Sequence, residues 1–173
     1  MALTGKARRS IVMAAILTVL SSVAASAAPR TIGEAGRWRA VEAIRDGQRY
    51  CYVISTPTRR TPEGLKRDPG FFFVLTLPRP SGTGTEASVG FGYPVNPTGN
   101  VVSVDGEAFV LVTRGENGWL EQTTDEPRLL KAMRAGAEIR VMAQSARGNR
   151  TVDTYSLGGF SRALALLQKT CRP

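Results

Sequence analysis

Histidine is absent from all 173 residues. That removes the commonest general base, the commonest transition-metal ligand and the usual partner of a nucleophilic Ser or Cys. The carboxylates Glu107, Glu116, Glu121, Asp125, Glu126 and Asp153 gather in the second half of the chain, and paired carboxylates can do acid and base work on their own. No spacing among them singles out an acid and a base, so they read mostly as solvated faces or helix caps, and the chain is expected not to be an enzyme. Cys51 and Cys171 lack the C-x-x-C spacing that tunes a reactive thiol. A zinc site would need those two cysteines plus carboxylates to supply four ligands, which a disulfide makes unnecessary; neither a metal nor a cofactor is expected. Gly82-Thr83-Gly84-Thr85-Glu86-Ala87 matches G-x-G-x-x-A, but that fingerprint has meaning only between a strand and a helix. Here it follows Pro78-Arg79-Pro80-Ser81 and precedes a strand-like segment, so it reads as a flexible turn. Asn149-Arg150-Thr151 fits a glycosylation acceptor by composition alone.

The amino-terminal residues speak to address. Lys6, Arg8 and Arg9 precede an apolar run over residues 11–20 and then small residues ending Ala25-Ser26-Ala27, the three-part layout of a secretory signal peptide. The expected organisation is a leader over residues 1–27 and one domain over residues 28–173, a size at which a single core buries about 68–70% of the unfolded surface. No later segment approaches the roughly 20 apolar residues of a membrane span. The leader holds three of the 23 basic residues and none of the 14 acidic ones, leaving a net charge of +6 on the rest. The arginines are dispersed, whereas a nucleic-acid module concentrates them on one stripe beside aromatic platforms; no nucleic acid is expected. In an oxidising compartment an even cysteine count argues for a bridge between Cys51 and Cys171.

The elements that must position these groups are mostly strands. Residues 37–44 and 50–55 flank Asp46-Gly47, and residues 101–104 and 107–113 flank Asp105-Gly106, two tight hairpins. Alternation in Tyr50-Cys51-Tyr52-Val53 sets Cys51 and Val53 on one face. Residues 57–69 form an exposed loop in which Arg59, Arg60, Lys66 and Arg67 are the densest basic cluster outside the leader. The run 71–77 is apolar almost throughout, as in a strand buried on both faces. A second loop is expected over residues 79–85. Thr124 or Asp125 caps a short helix carrying Leu129, Leu130 and Met133 and stopped by Gly136. A third hairpin joins residues 138–144 and 151–155, and residues 160–169 form an amphipathic helix on Phe160, Ala163, Leu164 and Leu167. About eight strands without βαβ alternation favour a mainly-β antiparallel sandwich with two short helices.

The order of these features carries a resemblance. Trp38, Cys51-Tyr52-Val53, the stretch from Gly64 to Arg67-Asp68-Pro69, Val104-Asp105-Gly106 with Phe109, Ala132-Met133-Arg134 with Gly136, and Thr151 to Phe160 followed by Cys171 resemble the invasion-associated locus B family of alphaproteobacterial envelope proteins. The resemblance spans residues 38–171, and its most specific part runs from Asp153 to Phe160. Longer members often carry an additional cysteine near the tryptophan, so this chain looks like a short variant with a single bridge. The resemblance implies an immunoglobulin-like β-sandwich, export to the periplasm or outer envelope, and no known catalytic residues.

Three functions fit these residues. The first is a noncatalytic envelope protein that binds a protein or an anionic envelope polymer through Arg59, Arg60, Lys66 and Arg67, with a contribution to host interaction or invasion. The second is a periplasmic hydrolase built on carboxylates such as Glu116 and Asp153. The third is a structural, stress-protective envelope protein.

Overall fold

Asp-Gly turns organise both halves of the chain. The computed structural model describes residues 28–79 and 82–171, and the leader over residues 1–27 lies outside them. The chain begins with β1 (Arg30–Ala35) and β2 (Trp38–Arg45), and Asp46-Gly47, at φ of 51° and 73°, returns it as β3 (Gln48–Ser55). Positive φ at both turn residues matches the right-handed twist of the strands and explains why Asp-Gly stands there. There follow β4 (Arg59–Thr61), β5 (Phe71–Arg79), β6 (Gly82–Gly90) and β7 (Asn100–Val104). Asp105-Gly106 repeats the turn chemistry, at φ of 46° and 99°, before β8 (Glu107–Arg114) and β9 (Asn117–Leu120). Helix α1 (Glu126–Ala135), strands β10 (Glu138–Gln144) and β11 (Arg150–Ser156), and helix α2 (Phe160–Thr170) complete the described chain.

The eleven strands join in one antiparallel ladder, ordered β1-β2-β3-β5-β6-β9-β8-β7-β10-β11-β4. This is the mainly-β, sandwich-like architecture with two helices that the sequence pattern implies, its halves joined by a continuous hydrogen-bonded edge. Three strands exceed the expected eight. The polar lead-in before Gly36 is strand β1, which pairs with β2 through Ala35 and Trp38. The 57–69 loop contains β4, held against β11 through the register Arg60 to Asp153. Trp119 belongs to a strand of its own, paired with both β6 and β8. The flexible turn expected over residues 79–85 is a correction of a different kind: β5 and β6 pair as far as Arg79 and Gly82, so Gly84, Thr85 and Ala87 lie in a strand. Backbone pairing with β5 overrides the turn composition there.

The inner face of the ladder and both helices enclose one core. Trp38, Phe72, Phe91, Phe109, Ile139, Tyr155 and Phe160 are fully buried. Trp38 meets Phe72 and Phe160 edge-on at centroid distances of 6.3 and 4.9 Å, and its indole N–H donates to the Ser156 carbonyl at 2.9 Å. Helix α2 presents Phe160, Ala163, Leu164 and Leu167 to this core, the expected face. Helix α1 buries Leu129, Leu130 and Met133 as expected; Asp125 stands at its N-cap, although its carboxylate pairs with Arg128 instead of capping the backbone. The turn between β1 and β2 presses against the start of α2, where a Cβ on Gly159, at φ 97°, would strike the Ala35 carbonyl. Only glycine relieves both constraints.

Cys51 and Cys171 are bonded, a sequence separation of 120 residues, which fastens the end of α2 to β3. In the chain-entropy model a loop of that size contributes about 4–5 kcal/mol, with measured losses for small secreted domains of about 2–5 kcal/mol. Reduction, or replacement of both cysteines by alanine, is therefore expected to lower the unfolding free energy measured in urea by about 2–5 kcal/mol, with a matching fall in the midpoint. An unchanged midpoint in the reduced protein would refute it.

Candidate functional site

Asp153 lies on the inner face of β11, 2% exposed. Beside it on that face stand Thr151 and Tyr155, all three in the buried phase of the strand. An isolated buried carboxylate would be prohibitively costly, and two arginines answer it. Arg60 donates to Oδ2 through Nε at 3.0 Å and stands 2.9 Å from it through Nη2. Arg67 donates to Oδ1 through Nη1 at 3.2 Å. The remaining donors bind backbone: Arg60 to the carbonyls of Asp68 and Phe91, each at 2.7 Å, and Arg67 to that of Pro62 at 3.0 Å. Both guanidiniums stand 5.8–5.9 Å from the Tyr93 ring centroid, within cation–π range. Gly70 has no side chain because a Cβ would crowd Arg60 and Asp153 at 3.1–3.2 Å.

This cluster fixes one wall of a groove of about 730 Å³ between the 65–68 stretch and the turn at 145–149. Tyr93 and Pro94 line it, with Leu65, Lys66, Glu116, Arg147 and Asn149 among the other lining residues. The Thr151 hydroxyl donates to the Ala143 carbonyl at 3.1 Å, so the Tyr93 hydroxyl donates to Thr151, at 2.6 Å. Burial pushes the Tyr93 phenol above its ordinary value, which keeps it a donor. The opposite wall is tied by backbone bonds from Ala146 to Pro94 and from Asn96 to Gln144, each 2.9 Å. Behind it, buried Asn100 donates to the Asn96 carbonyl and to Thr113 and accepts from the Gln144 amide. Satisfied networks of this kind rigidify the surface they support. The result is a preformed concavity with an aromatic floor and charges of both signs, within the size range of ligand sites.

The four basic residues therefore divide. Arg67 lines the groove from a largely buried position, and Lys66 is exposed on its rim. Arg60 turns inward to Asp153, and Arg59, exposed, pairs with Thr154 at the sheet edge, outside the groove. The two carboxylates of the hydrolase reading part company too, Glu116 lining the groove while Asp153 lies beneath it between two guanidiniums. Nor are the acidic residues uniformly solvated. Glu126 is buried and accepts the Ala87 amide at 2.9 and 3.1 Å, joining α1 to β6. Glu42, Cys51 and Cys171 are a close group of metal-ligand types, but the sulfurs are bonded to each other and Glu42 is paired with Arg30 and Arg49; the hydrogen bond from Arg30, with the charges of both arginines, holds its carboxyl below the ordinary value. While the bridge is closed, this group offers a metal no thiolate. Sequence reasoning missed the Asp153 cluster, 93 and 86 residues from its arginines; the available signal was a carboxylate in the buried phase of an alternating strand.

No protein-family model matches the chain, and no curated protein sequence matches it. Its fold is similar to the crystal structure of invasion-associated protein B from Bartonella henselae, at a TM-score of 0.58 and 15% identity over 80% of this chain and 95% of that one. The fold implied by the resemblance over residues 38–171 and the fold found are thus the same.

Two stability predictions follow from the cluster. Asp153→Asn leaves two partly buried cations without their anion and is expected to cost about 3 kcal/mol in urea unfolding; a loss under about 1 kcal/mol would refute the cluster's structural weight. The Tyr155 hydroxyl is buried with no hydrogen-bond partner among the described residues, and burial, reinforced by Asp153, pushes its phenol far above the ordinary value of 10.0. A folded-state value raised above the unfolded one gives stability that is full below pH 10 and falls as pH rises beyond it. Tyr155→Phe is expected to raise stability by about 1 kcal/mol at pH 7 and to flatten part of the loss above pH 10. A destabilised variant with an unchanged alkaline limb would overturn this.

Proposed function

We propose that the chain is an exported, noncatalytic envelope protein of the invasion-associated locus B type, which binds a protein or an envelope polymer in the groove beside Tyr93. The observation that carries this reading is the groove itself, a concavity whose walls are locked by buried polar networks before any ligand arrives. Rigid walls reduce the ordering cost of binding. The aromatic floor and the exposed Lys66, Arg147 and Glu116 can grip a segment that is partly apolar and partly charged, as peptide chains and envelope polymers are. Export is supported by the leader composition and by the disulfide. A role at the host interface is supported by the fold's likeness to a protein titled invasion-associated.

The noncatalytic part of this reading is supported by where the carboxylates stand. The two carboxylates of the hydrolase reading are not presented together, for Glu116 lines the groove while Asp153 is held between two guanidiniums beneath it. The test uses the oxidised mature protein, residues 28–173, immobilised against solubilised envelope fractions and incubated separately with purified peptidoglycan sacculi. Lys66→Glu with Arg147→Glu is expected to reduce recovery about tenfold without changing Tm, whereas Arg59→Glu, outside the groove, leaves recovery intact. Undiminished recovery by the double variant would sink the groove as the site.

A further inference from the structure

The sequence of β5 is written for burial on two sides, and the folded chain buries one. Phe72 and Val74 face the core at 1% and 0% exposure. Phe71, Phe73, Leu75 and Leu77 point the other way and are only partly covered. Their neighbours on that outer face are also apolar, with Val41 and Ile54 already covered by the side chains around them at 5% and 8% exposure. In one row Val41, Tyr52 and Leu75 stand side by side and end at Glu86; in the next Arg39, Ile54 and Phe73 lead through Ser88 to Trp119. Tyr52 and Phe71 stack edge-on or tilted against Phe73 at centroid distances of 5.9 and 5.8 Å. Helix α2 packs on β1, β2 and β3 with its buried residues in the core around Trp38, so it covers the inner face. An antiparallel sheet with one solvated face ordinarily alternates apolar with polar, and this face does not.

We propose that the outer face of β2-β3-β5-β6 docks a second copy of this chain, face to face, about a two-fold axis parallel to the strands. The charges on the face identify that occupant. On these four strands the apolar band lies between a cation on β2, the exposed Arg39, which stands opposite Glu34 of β1, and an anion on β6, Glu86, one row away. A two-fold axis parallel to the strands sets β2 of each copy over β6 of the other, so each Arg39 comes over the partner's Ser88 with the partner's Glu86 one row, about 7 Å, along the strand, and the aromatics meet in the middle. A face carrying both signs at opposite edges is self-complementary, as an isologous interface must be. A bilayer of anionic headgroups would gain from Arg39 and lose from Glu86. Four strands about 4.8 Å apart and about seven residues long give roughly 400 Å² of projected face per copy, at the low end of specific interfaces. The dimer is accordingly weak and concentration-dependent.

Sedimentation velocity on the oxidised mature protein, from micromolar to near-millimolar concentration, tests it. The expected result is a reversible monomer–dimer transition, abolished by Phe73→Glu with Tm retained. Arg39→Glu alone and Glu86→Arg alone each weaken the dimer about tenfold by placing like charges together, and the double exchange restores it. A protein monomeric throughout the range overturns the proposal. So does a dimer insensitive to Phe73→Glu, or one in which the double exchange is no better than the singles. Co-sedimentation with anionic phosphatidylglycerol vesicles that is lost in Phe73→Glu, without any dimer, would make a bilayer the occupant and overturn it equally.

Discussion

A carboxylate in the core side of the last strand is the constraint around which one end of this protein is arranged. Asp153 has no access to solvent, so its charge must be met from within, and the donors come from a segment some ninety residues earlier. That requirement draws β4 onto the edge of β11, holds the 62–69 loop against the sheet and sets Tyr93 beneath two guanidiniums. The groove is a by-product of the same geometry. Replacing such a cluster with apolar residues is often neutral for stability, so its retention here is best understood through the shape it imposes on the surface above it.

The opposite end depends on apolar packing and a covalent bond. Trp38 sits between Phe72 and Phe160, and its one polar atom is satisfied by the Ser156 carbonyl. The close approach of residues 35–36 to residues 158–159 needs glycine on both sides. The disulfide then fixes the far end of α2, so that helix is anchored at its first residue by an aromatic cluster and just beyond its last by a bridge. The segment from Asp153 to Phe160, the most specific part of the family resemblance, links the two ends: its first residue organises the groove and its last closes the core.

Local chemistry was the legible part of the sequence. Both Asp-Gly hairpins, the inward faces of α1 and α2, and the cysteine pairing depend on nearest neighbours or on a single possible partner, and each is found as expected. Long-range pairing was less legible. Residues 82–87 have turn-like composition, yet their hydrogen-bond partners on β5 decide that they are a strand. The basic cluster looked uniformly exposed because its four residues share one stretch of chain; for Arg59 and Arg60, which side of the short edge strand each occupies is set by the register with β11. Arg60 and Arg59 are adjacent, and the pleat sends one to the core and the other to solvent. The groove was illegible for the same reason, since its two walls come from segments eighty residues apart.

The strand order has a consequence for how the chain reaches this state. Consecutive strands pair over most of the sheet, but the closing contacts, β4 with β11, Arg60 with Asp153 and Cys51 with Cys171, all join an early segment to a late one. Loop-closure entropy must be met before such contacts stabilise anything, which makes folding slow relative to local helix or hairpin formation. During that interval β5, apolar on both sides, has no cover on either. A chain folding from its first residues onward thus presents its stickiest strand early and its stabilising closure last, and residues 71–77 stay open to misassociation until residue 171 arrives.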